Sequence, residues 1–307
     1  MTGLTPRLLS LDIFRGLTIA FMIVVNTPGT HDAIYAPLRH AQWHGWTLTD
    51  VVFPSFVWIV GLAITLSLGR KLTPDSPRLP FFIYAFPTFD SATFRILGVL
   101  QRIAICYFAT VAIFLFTGVR GQILAAVACL VLYSALMMPG GFDRETNFAH
   151  HVDRLALGTH NYHETKTWDP EGIVSTLPAI ATCLLGLLAG HLLARKDDLA
   201  TRCTWMLITG AALVTSAYAI EPWIPVNKQL WTTSFTLLMA GIDFTLFAAI
   251  LWLVDGQGFQ WGTQPFVILG QNAIAIYLSS ELIEIALHFI SFGGQPMRTW
   301  LYQTFFA

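Results

Sequence analysis

Two histidines and two tryptophans crowd the seven residues from His40 to Trp46, directly before an apolar stretch. An imidazole titrates near neutrality, so a histidine at a membrane surface can act as a general base toward an amine or a hydroxyl. Tryptophan is enriched at membrane interfaces, and Trp43 and Trp46 are therefore expected to be interfacial residues. For His40 and His44, the residue types alone leave open both a general base and a solvated surface histidine.

Two further polar residues flank this segment. Asp50 lies at the start of the next apolar stretch, where the positive end of a helix favours a carboxylate, so it is either a helix cap or a site residue. Asn26 ends the first apolar stretch and is followed by Thr-Pro-Gly, so its amide either caps that helix or points into a bundle. Taken alone, capping is the simpler interpretation of Asn26.

Polar residues also interrupt other apolar stretches. Gln101 and Arg102 lie inside the third stretch, where a buried arginine is costly unless it pairs with an acid, binds an anionic ligand or faces a cavity. Lys228 follows a proline-rich loop, and Asn272 interrupts the last stretch. The acidic interruptions are Asp243, Glu281 and Glu284. Polar groups on several helices predict a hydrated cavity, which suits either a transporter or an enzyme that works within the membrane.

The longest polar segment, residues 139–171, contains four histidines and several acidic residues. Their spacing matches neither the His-Glu-x-x-His helix nor a tight pair of carboxylates, so a solvated loop is favoured over zinc and no metal is expected. The end of this segment, Trp168-Asp-Pro-Glu-Gly172, is expected to be a turn that begins a helix. Its acids either complement the helix dipole or bind a cationic or polyhydroxylated substrate.

The elements that must position these residues are apolar. Of the 307 residues, 55% are hydrophobic and 11% are charged, and the mean hydropathy is +0.61. Soluble domains carry about 25% charged residues, so an ordinary soluble enzyme is excluded. The formal net charge of −1 provides no basic surface, and no nucleic-acid partner is expected.

Eight apolar stretches have the length of about 20 residues that a membrane-spanning helix needs. Helices are the only sensible assignment, because an unclosed strand cannot satisfy its backbone groups in lipid. The stretches run near residues 8–26, 47–69, 96–117, 121–138, 172–194, 203–220, 231–254 and 265–291. We therefore predict an all-α, polytopic integral-membrane helix bundle that forms a single domain over residues 1–307.

A shorter apolar run near residues 80–88 would cover only about 12 Å as a helix, against about 30 Å of hydrocarbon. We expect a short or re-entrant segment there. Whether it crosses the membrane decides whether the polar segments 27–46 and 139–171 share one face. The first helix is expected to be retained, because Asp12 and Arg15 interrupt the apolar core that a signal peptide would need; they lie on one face and can pair.

Several of these segments, taken in order, resemble the bacterial relatives of heparan-α-glucosaminide N-acetyltransferase. The segments are Leu11-Asp-Ile-Phe-Arg-Gly16, Val25-Asn26, His40-Ala-Gln-Trp43, Asp50-Val-Val-Phe-Pro54, Gly98-Val-Leu-Gln-Arg-Ile-Ala104, Trp168-Asp-Pro-Glu-Gly172, Ser175-Thr-Leu-Pro178, Lys228-Gln-Leu-Trp-Thr232 and Gly270-Gln-Asn-Ala-Ile274. They span nearly the whole chain, and their order makes the resemblance specific.

The resemblance implies a membrane acetyltransferase, here in a bacterial cytoplasmic membrane, that uses cytoplasmic acetyl-CoA as its co-substrate. The acetyl group would pass to the amine of a glucosamine-type sugar on the opposite side. His40 corresponds to the catalytic histidine of the family, and Asn26 and Asp50 correspond to its other site positions. A homodimer is compatible with the family.

The pocket for acetyl-CoA is expected to draw its polar groups from Gln101, Arg102, Lys228 and Asn272, with Arg102 or Lys228 meeting the phosphates. Relatives carry a full additional helix where this chain has only the shortened interval 70–95. Two alternative functions stay open. A small-molecule transporter would use the same buried polar groups, and an O-acyltransferase would acetylate a hydroxyl of a cell-envelope glycan.

Overall fold

The computed structural model describes residues 8–28, 34–68 and 95–305. Its helices are α1 (Leu9–Asn26), α2 (Leu48–Leu68), α3 (Val99–Phe116), α4 (Val119–Met137), α5 (Phe148–Leu157), α6 (Thr176–Leu193), α7 (Leu199–Ile220), α8 (Thr233–Leu251), α9 (Gln264–Gln271), α10 (Ala273–Phe289) and α11 (Met297–Phe305). A π-helical turn, Trp252–Gly256, continues α8. Two-residue strands, β1 (Ser291–Phe292) and β2 (Gln295–Pro296), form an antiparallel hairpin.

The all-α, polytopic fold is confirmed. Seven of the described helices are long and apolar enough to cross a membrane, namely α1, α2, α3, α4, α6, α7 and α8 with its π-helical turn. The pair α9 and α10 makes an eighth candidate span if it is counted as one. The predicted short segment near residues 80–88 lies outside the described residues.

The last apolar stretch is not the continuous helix that residues 265–291 predict. It bends by 85° between α9 and α10. The side-chain amide of Asn272 donates to the carbonyl of Ile268 at 2.9 Å, and its backbone N–H donates to both Ile268 and Leu269 at 3.2 Å. An asparagine that bonds to the preceding turn in this way ends a helix, and hydropathy alone does not register it.

A second difference lies in the polar segment 139–171, which contains the helix α5. The side chain of Asn147 caps this helix by accepting the backbone N–H of His150 at 2.9 Å. Ala149, Asp153 and Leu157 recur along one buried face. Within this segment, Phe148–Leu157 is therefore a packed helix rather than solvated loop.

The chain divides into two compact units. The first unit comprises Met1–His40, Thr47–Val52 and Phe247–Ala307, and the second comprises Ala41–Trp46 and Phe53–Leu246. Helices α2 and α8 each contribute to both units. The single domain over residues 1–307 stays a prediction.

In the first unit, α1 packs along α9 with the two backbones in contact. A Cβ atom added at Gly16 would lie 1.8 Å from the carbonyl oxygen of Phe266, and one at Gly270 would lie 1.9 Å from that of Asp12. Glycine is what allows this approach, as at other close crossings of membrane helices. Arg15 pairs with Asp12 at 3.8 Å and donates to the Gly270 carbonyl at 3.1 Å, which closes the same crossing.

In the second unit, α6 is largely buried and packs against α3, α4 and α7. A Cβ atom added at Gly186 would lie 1.9 Å from the carbonyl oxygen of Trp58 on α2, and one at Gly61 would lie 1.8 Å from that of Cys183. Small residues thus bring α2 and α6 into backbone contact. The four cysteines are unpaired, and Cys106, Cys183 and Cys203 are buried.

The outer helices of the second unit expose apolar surface. Only 17% of the residues of α3, and 22% of those of α4 and of the apolar window of α7, are buried. Phe108 and Leu124 are examples of large apolar side chains on their exposed faces. Apolar surface of this extent matches hydrocarbon rather than water, so the chain is an integral membrane protein.

Candidate functional site

The segment that precedes α2 positions His40. A short 3₁₀ turn, Ala36–Leu38, leads into it, and the hydroxyl of Thr49 donates to the carbonyl of Pro37 at 3.4 Å. This bond ties the 3₁₀ turn to the first turn of α2. The chain therefore returns His40 to the helix start ten residues ahead of it.

His40 and Asp50 form a hydrogen-bonded pair in the first unit. The Nδ1 atom of His40 lies 2.7 Å from Oδ1 of Asp50. The side chain of Asp50 is completely buried, whereas that of His40 is 52% exposed. The pair thus joins a shielded carboxylate to an imidazole that reaches the surface of the protein.

Asp50 is held by its own helix start. Its Oδ2 atom accepts the backbone N–H of Thr47 at 3.0 Å and the hydroxyl of Thr47 at 3.1 Å. The carboxylate also lies in the first turn of α2, where the helix dipole favours negative charge. Asp50 therefore caps the start of α2, and its role as a site residue stays a prediction.

This arrangement suits general-base chemistry. A carboxylate that accepts Nδ1–H fixes the imidazole in the tautomer whose Nε2 atom carries the lone pair. The same carboxylate stabilises the imidazolium that forms when Nε2 takes a proton, and it holds the ring in one orientation. A base of this kind acts on an amine or a hydroxyl brought within hydrogen-bond reach.

Asn26 is the last residue of α1, and its side chain is exposed. The hydrogen bonds that join Asp50 to His40 and to Thr47 do not include it. The turn after it is closed by Thr27, whose backbone N–H donates to Ile23 at 3.1 Å. The C-cap residue of α1 is therefore Thr27, and the role of Asn26 stays a prediction.

Arg102 is buried inside the second unit. Its Nη2 atom donates to the carbonyl of Gly172 at 3.1 Å and to the hydroxyl of Ser175, and its guanidinium lies 5.1 Å from the centre of the Trp231 ring. Its Nε and Nη1 atoms are buried and have no hydrogen-bond partner among the residues that the structure describes. A buried guanidinium with two unused donors suits a ligand that presents acceptor oxygens.

Trp231 itself is held in an uncommon conformation. Its backbone φ of 51° lies in the left-handed region, which side chains rarely adopt. The indole Nε1 donates to the hydroxyl of Thr182 at 3.1 Å, and its backbone N–H donates to Lys228 at 3.0 Å. These bonds fix the aromatic face under Arg102.

The other predicted pocket residues are Gln101, Lys228 and Asn272. Gln101 is half-buried beside Arg102, and its buried Oε1 atom has no hydrogen-bond partner within residues 8–28, 34–68 and 95–305. Lys228 is half-buried and opens the turn that leads to Trp231. Asn272 is exposed at the bend between α9 and α10. It belongs to the first unit, whereas Gln101, Arg102 and Lys228 belong to the second.

A family model described as heparan-alpha-glucosaminide N-acetyltransferase, catalytic, matches residues 7–220, which include His40, Asp50 and Arg102. The chain belongs to this family.

The chain is also similar to two curated relatives that carry the same family name. The heparan-alpha-glucosaminide N-acetyltransferase of Homo sapiens is 29% identical over 92% of this chain, and that of Mus musculus is 28% identical over 91%. The chain spans about half the length of these relatives, since the match covers 54% of each. The alignments extend over 362 and 356 residues, more than the 307 of this chain, so the relatives carry positions that it lacks.

The match to the N-acetyltransferase family divides the predicted site residues. Asn26, His40 and Asp50, together with Gln101 and Arg102, lie within residues 7–220. Lys228 and Asn272, the two remaining predicted pocket residues, lie beyond them. The family match therefore covers all three of the predicted catalytic positions.

The acids of the turn at residues 168–172 of this N-acetyltransferase homologue are already paired. Arg95 binds Asp169 at 2.7 and 2.5 Å and also contacts Glu171. Burial lowers the pKa of Arg95, but the bonds and charges of Asp169 and Glu171 outweigh it, so the pKa is raised. These acids therefore hold the turn together, and the interpretation that they bind a cationic substrate is not needed.

Asp153 fastens the same turn from α5. It accepts the backbone N–H groups of Ile173 at 3.0 Å and Asp169 at 3.3 Å. A Cβ atom at Gly172 would lie 2.1 Å from its carboxylate, so glycine is needed there. Burial raises the pKa of Asp153 to about 6, although the two backbone donors act in the opposite direction.

Within the described residues, no three side chains of His, Cys, Asp or Glu are grouped to hold a metal.

Three residues that shape these sites are not among the predicted site residues, namely Thr47, Ser175 and Trp231. A signal existed for one of them, because Thr47 and Asp50 have the three-residue spacing of a helix-capping box. Ser175 and Trp231 meet Arg102 from positions 73 and 129 residues away. No local pattern predicts contacts over such separations.

Proposed function

We propose that this chain is a membrane acetyltransferase that moves the acetyl group of acetyl-CoA to the amine of a glucosamine-type sugar, with His40 as the general base. The observation that carries the proposal is the 2.7 Å bond between Nδ1 of the half-exposed His40 and the buried carboxylate of Asp50. Membership of the N-acetyltransferase family supports the reaction class.

In the proposed reaction, the acceptor nitrogen attacks the carbonyl carbon of the thioester while Nε2 of His40 removes a proton from that nitrogen. The carbonyl oxygen becomes an oxyanion, and we propose that the amide N–H of Asn26 donates to it. Collapse of this intermediate breaks the carbon–sulfur bond. The departing thiolate takes the proton from the imidazolium, so the products are the amide and coenzyme A with its thiol.

Asp50 supports this sequence without touching the substrate. Its negative charge stabilises the imidazolium, and its two bonds from Thr47 keep the carboxylate in place throughout the reaction. Because Asp50 is completely buried, water does not weaken this interaction as it would at an exposed site.

We propose that Arg102 binds the acetyl donor. Its unused Nε and Nη1 donors suit a phosphate or another acceptor-rich group of acetyl-CoA. Gln101, Lys228 and Asn272 stay predictions as further pocket residues, as do a homodimer and a bacterial cytoplasmic membrane.

The test is transfer of labelled acetyl from acetyl-CoA to glucosamine by the purified protein in detergent. We expect transfer by the wild type and a loss of at least 100-fold in His40→Ala, because a general base contributes about 10²–10⁴-fold. His44→Ala is the matched control, since this exposed histidine lies four residues further along the chain and should be dispensable.

The product separates the acceptor classes. An N-acetyl product survives mild alkali, whereas an O-acetyl ester is hydrolysed and would indicate an O-acyltransferase. Accumulation of glucosamine in vesicles without acetylation, unchanged in His40→Ala, would replace the proposal with a transporter. Equal activity of His40→Ala and the wild type would also overturn the role of His40.

A further inference from the structure

Arg298, on α11, connects two other parts of the first unit. Its Nη1 atom lies 2.7 Å from Oε1 of Glu284 on α10, and its Nη2 atom donates to the carbonyl of Pro28 at 2.7 Å. The fixed fork of a guanidinium allows both bonds at once. The side chains of Arg298 and Glu284 are only 20% and 26% exposed, so both bonds are largely shielded from water.

Pro28 lies two residues after Asn26, just beyond the end of α1. Thr27, which lies between Asn26 and Pro28, donates its N–H and its hydroxyl to the carbonyl of Ile23 in the last turn of α1, at 3.1 and 2.6 Å. Proline has no N–H, so its carbonyl is the backbone group through which the chain is held at this point. The chain directly after Asn26 is therefore held at two points, by the bonds from Thr27 to Ile23 and by the bond from Arg298 to Pro28.

We propose that Arg298, oriented by Glu284, is a positioning residue for Asn26. By holding the Pro28 carbonyl, it keeps the amide of Asn26 at the place where the oxyanion develops, and it does not itself touch the reacting atoms. The inference rests on the proposed function, in which Asn26 stabilises that oxyanion. Both Arg298 and Glu284 lie outside residues 7–220, the range that the family model matches.

A double-mutant cycle separates positioning from a general structural effect. We expect Arg298→Ala to lower kcat about tenfold and to leave the KM of acetyl-CoA unchanged, because small misplacements of a catalytic group reduce the rate of the chemical step. In an Asn26→Ala background, Arg298→Ala should lower kcat no further. Equal losses in both backgrounds would overturn the inference.

Conservative variants test the geometry. Arg298→Lys keeps the charge but cannot make the forked pair of bonds, so we expect an intermediate kcat. Glu284→Gln keeps an acceptor oxygen and should stay within about threefold of the wild type, whereas Glu284→Ala should approach Arg298→Ala. The control is Arg195→Ala, which removes an exposed ion pair with Asp197 and should leave kcat unchanged.

A second measurement does not depend on acetyl transfer. In Asn26→Cys, the rate of reaction with a water-soluble maleimide reports how residue 26 is held, with the wild-type protein as the background for its own cysteines. We expect Arg298→Ala to change this rate several-fold and Arg195→Ala to leave it unaltered. An unchanged rate would overturn the inference, while a wild type that transfers no acetyl group would instead overturn the proposed function.

Discussion

His40 and His150 are the same residue type in opposite surroundings. His40 is half exposed, and its Nδ1 atom meets the buried carboxylate of Asp50 at 2.7 Å. His150 is 1% exposed and stacks on Trp168 with 4.1 Å between ring centroids. Its Nδ1 atom lies 2.7 Å from the backbone carbonyl of Arg144 rather than from an acid.

The difference decides what each imidazole can do. Burial lowers the pKa of His150 to about 4, and the charges of Arg154 and Arg144 add to this effect, although the bond to the Arg144 carbonyl opposes it. Its Nε2 atom is buried and has no hydrogen-bond partner in the described part of the chain, so a proton there would be an uncompensated charge. His150 is therefore a neutral packing residue near pH 7, and a histidine needs both access and an anionic partner to act as a base.

The largest expected effect is that replacing His40 lowers activity but not stability, whereas replacing His150 lowers stability but not activity. His40→Ala should lower kcat by at least 100-fold and leave the thermal unfolding midpoint within about 2 °C of the wild type. His150→Ala should lower stability by about 2 kcal/mol through the lost stacking and hydrogen bond, while the folded enzyme keeps its kcat. Acetyl transfer and thermal unfolding in detergent check both. Loss of kcat in folded His150→Ala would contradict the claim that His150 only packs.

Asp50→Asn tests whether the anionic partner makes His40 a base. The amide has the shape of the carboxylate but not its charge, so it no longer stabilises the imidazolium. We expect kcat to fall by about 10²–10⁴-fold with little change in the KM of acetyl-CoA, measured by steady-state kinetics on folded protein. A kcat within threefold of the wild type would show that the carboxylate only caps α2.

The pH dependence of stability tests the neutral state of His150. Its folded pKa of about 4 lies below the unfolded value of 6.5, so between these values the unfolded chain binds more protons and acidification destabilises the fold. His150→Phe keeps the stacking and removes this titration. We expect it to be less stable than the wild type at pH 7 and the difference to shrink by up to about 3 kcal/mol at pH 4.

Asp153 provides a control, because its titration should change stability with pH in the opposite direction to that of His150. Its folded pKa of about 6 lies above its ordinary value of 3.8, so the folded state binds more protons and gains stability on acidification. Asp153→Asn should therefore lose stability relative to the wild type as the pH falls from 6 to 4. The measurement is the thermal unfolding midpoint of Asp153→Asn, His150→Phe and the wild type between pH 6 and pH 4. If the midpoints of the two variants changed in parallel, the opposite pKa shifts of Asp153 and His150 would be contradicted.

The smallest expected effect concerns Thr47, which holds the partner of His40. Thr47→Val removes the hydroxyl bond to Asp50 but keeps the backbone N–H bond. We expect kcat to fall two- to fivefold and stability to fall by about 1 kcal/mol. Thr204→Val is the control, because this exposed hydroxyl bonds only within α7 and should not affect kcat.

The membrane-spanning helices were predictable because hydrocarbon thickness demands a long apolar run, which is a property of adjacent residues. The predicted stretch 8–26 is the helix Leu9–Asn26, and 121–138 is Val119–Met137. The bend at Asn272 was not predictable in this way. It depends on bonds from one side chain to the preceding turn, and hydropathy does not distinguish such a residue from any other polar interruption.

The site shows the same limit. His40 and Asp50 were recognisable as candidate residues, and their separation of ten residues made a local encounter feasible. Arg102 was expected to meet an anionic ligand or a buried acid. Among the described residues its partners are instead a carbonyl, a hydroxyl and an indole from distant segments, and two of its donors have no partner there.

Sequence by itself determined the class of the molecule, the number of apolar spans to within the bent pair, the family and the residue types available for acyl transfer. Only the tertiary structure decided that His40 faces a buried carboxylate while His150 faces two indoles and a backbone carbonyl. The physical reason is the separation along the chain over which each property is set. Hydrophobic length acts between neighbours in sequence, whereas the charge and access of a polar group depend on atoms that folding brings from elsewhere.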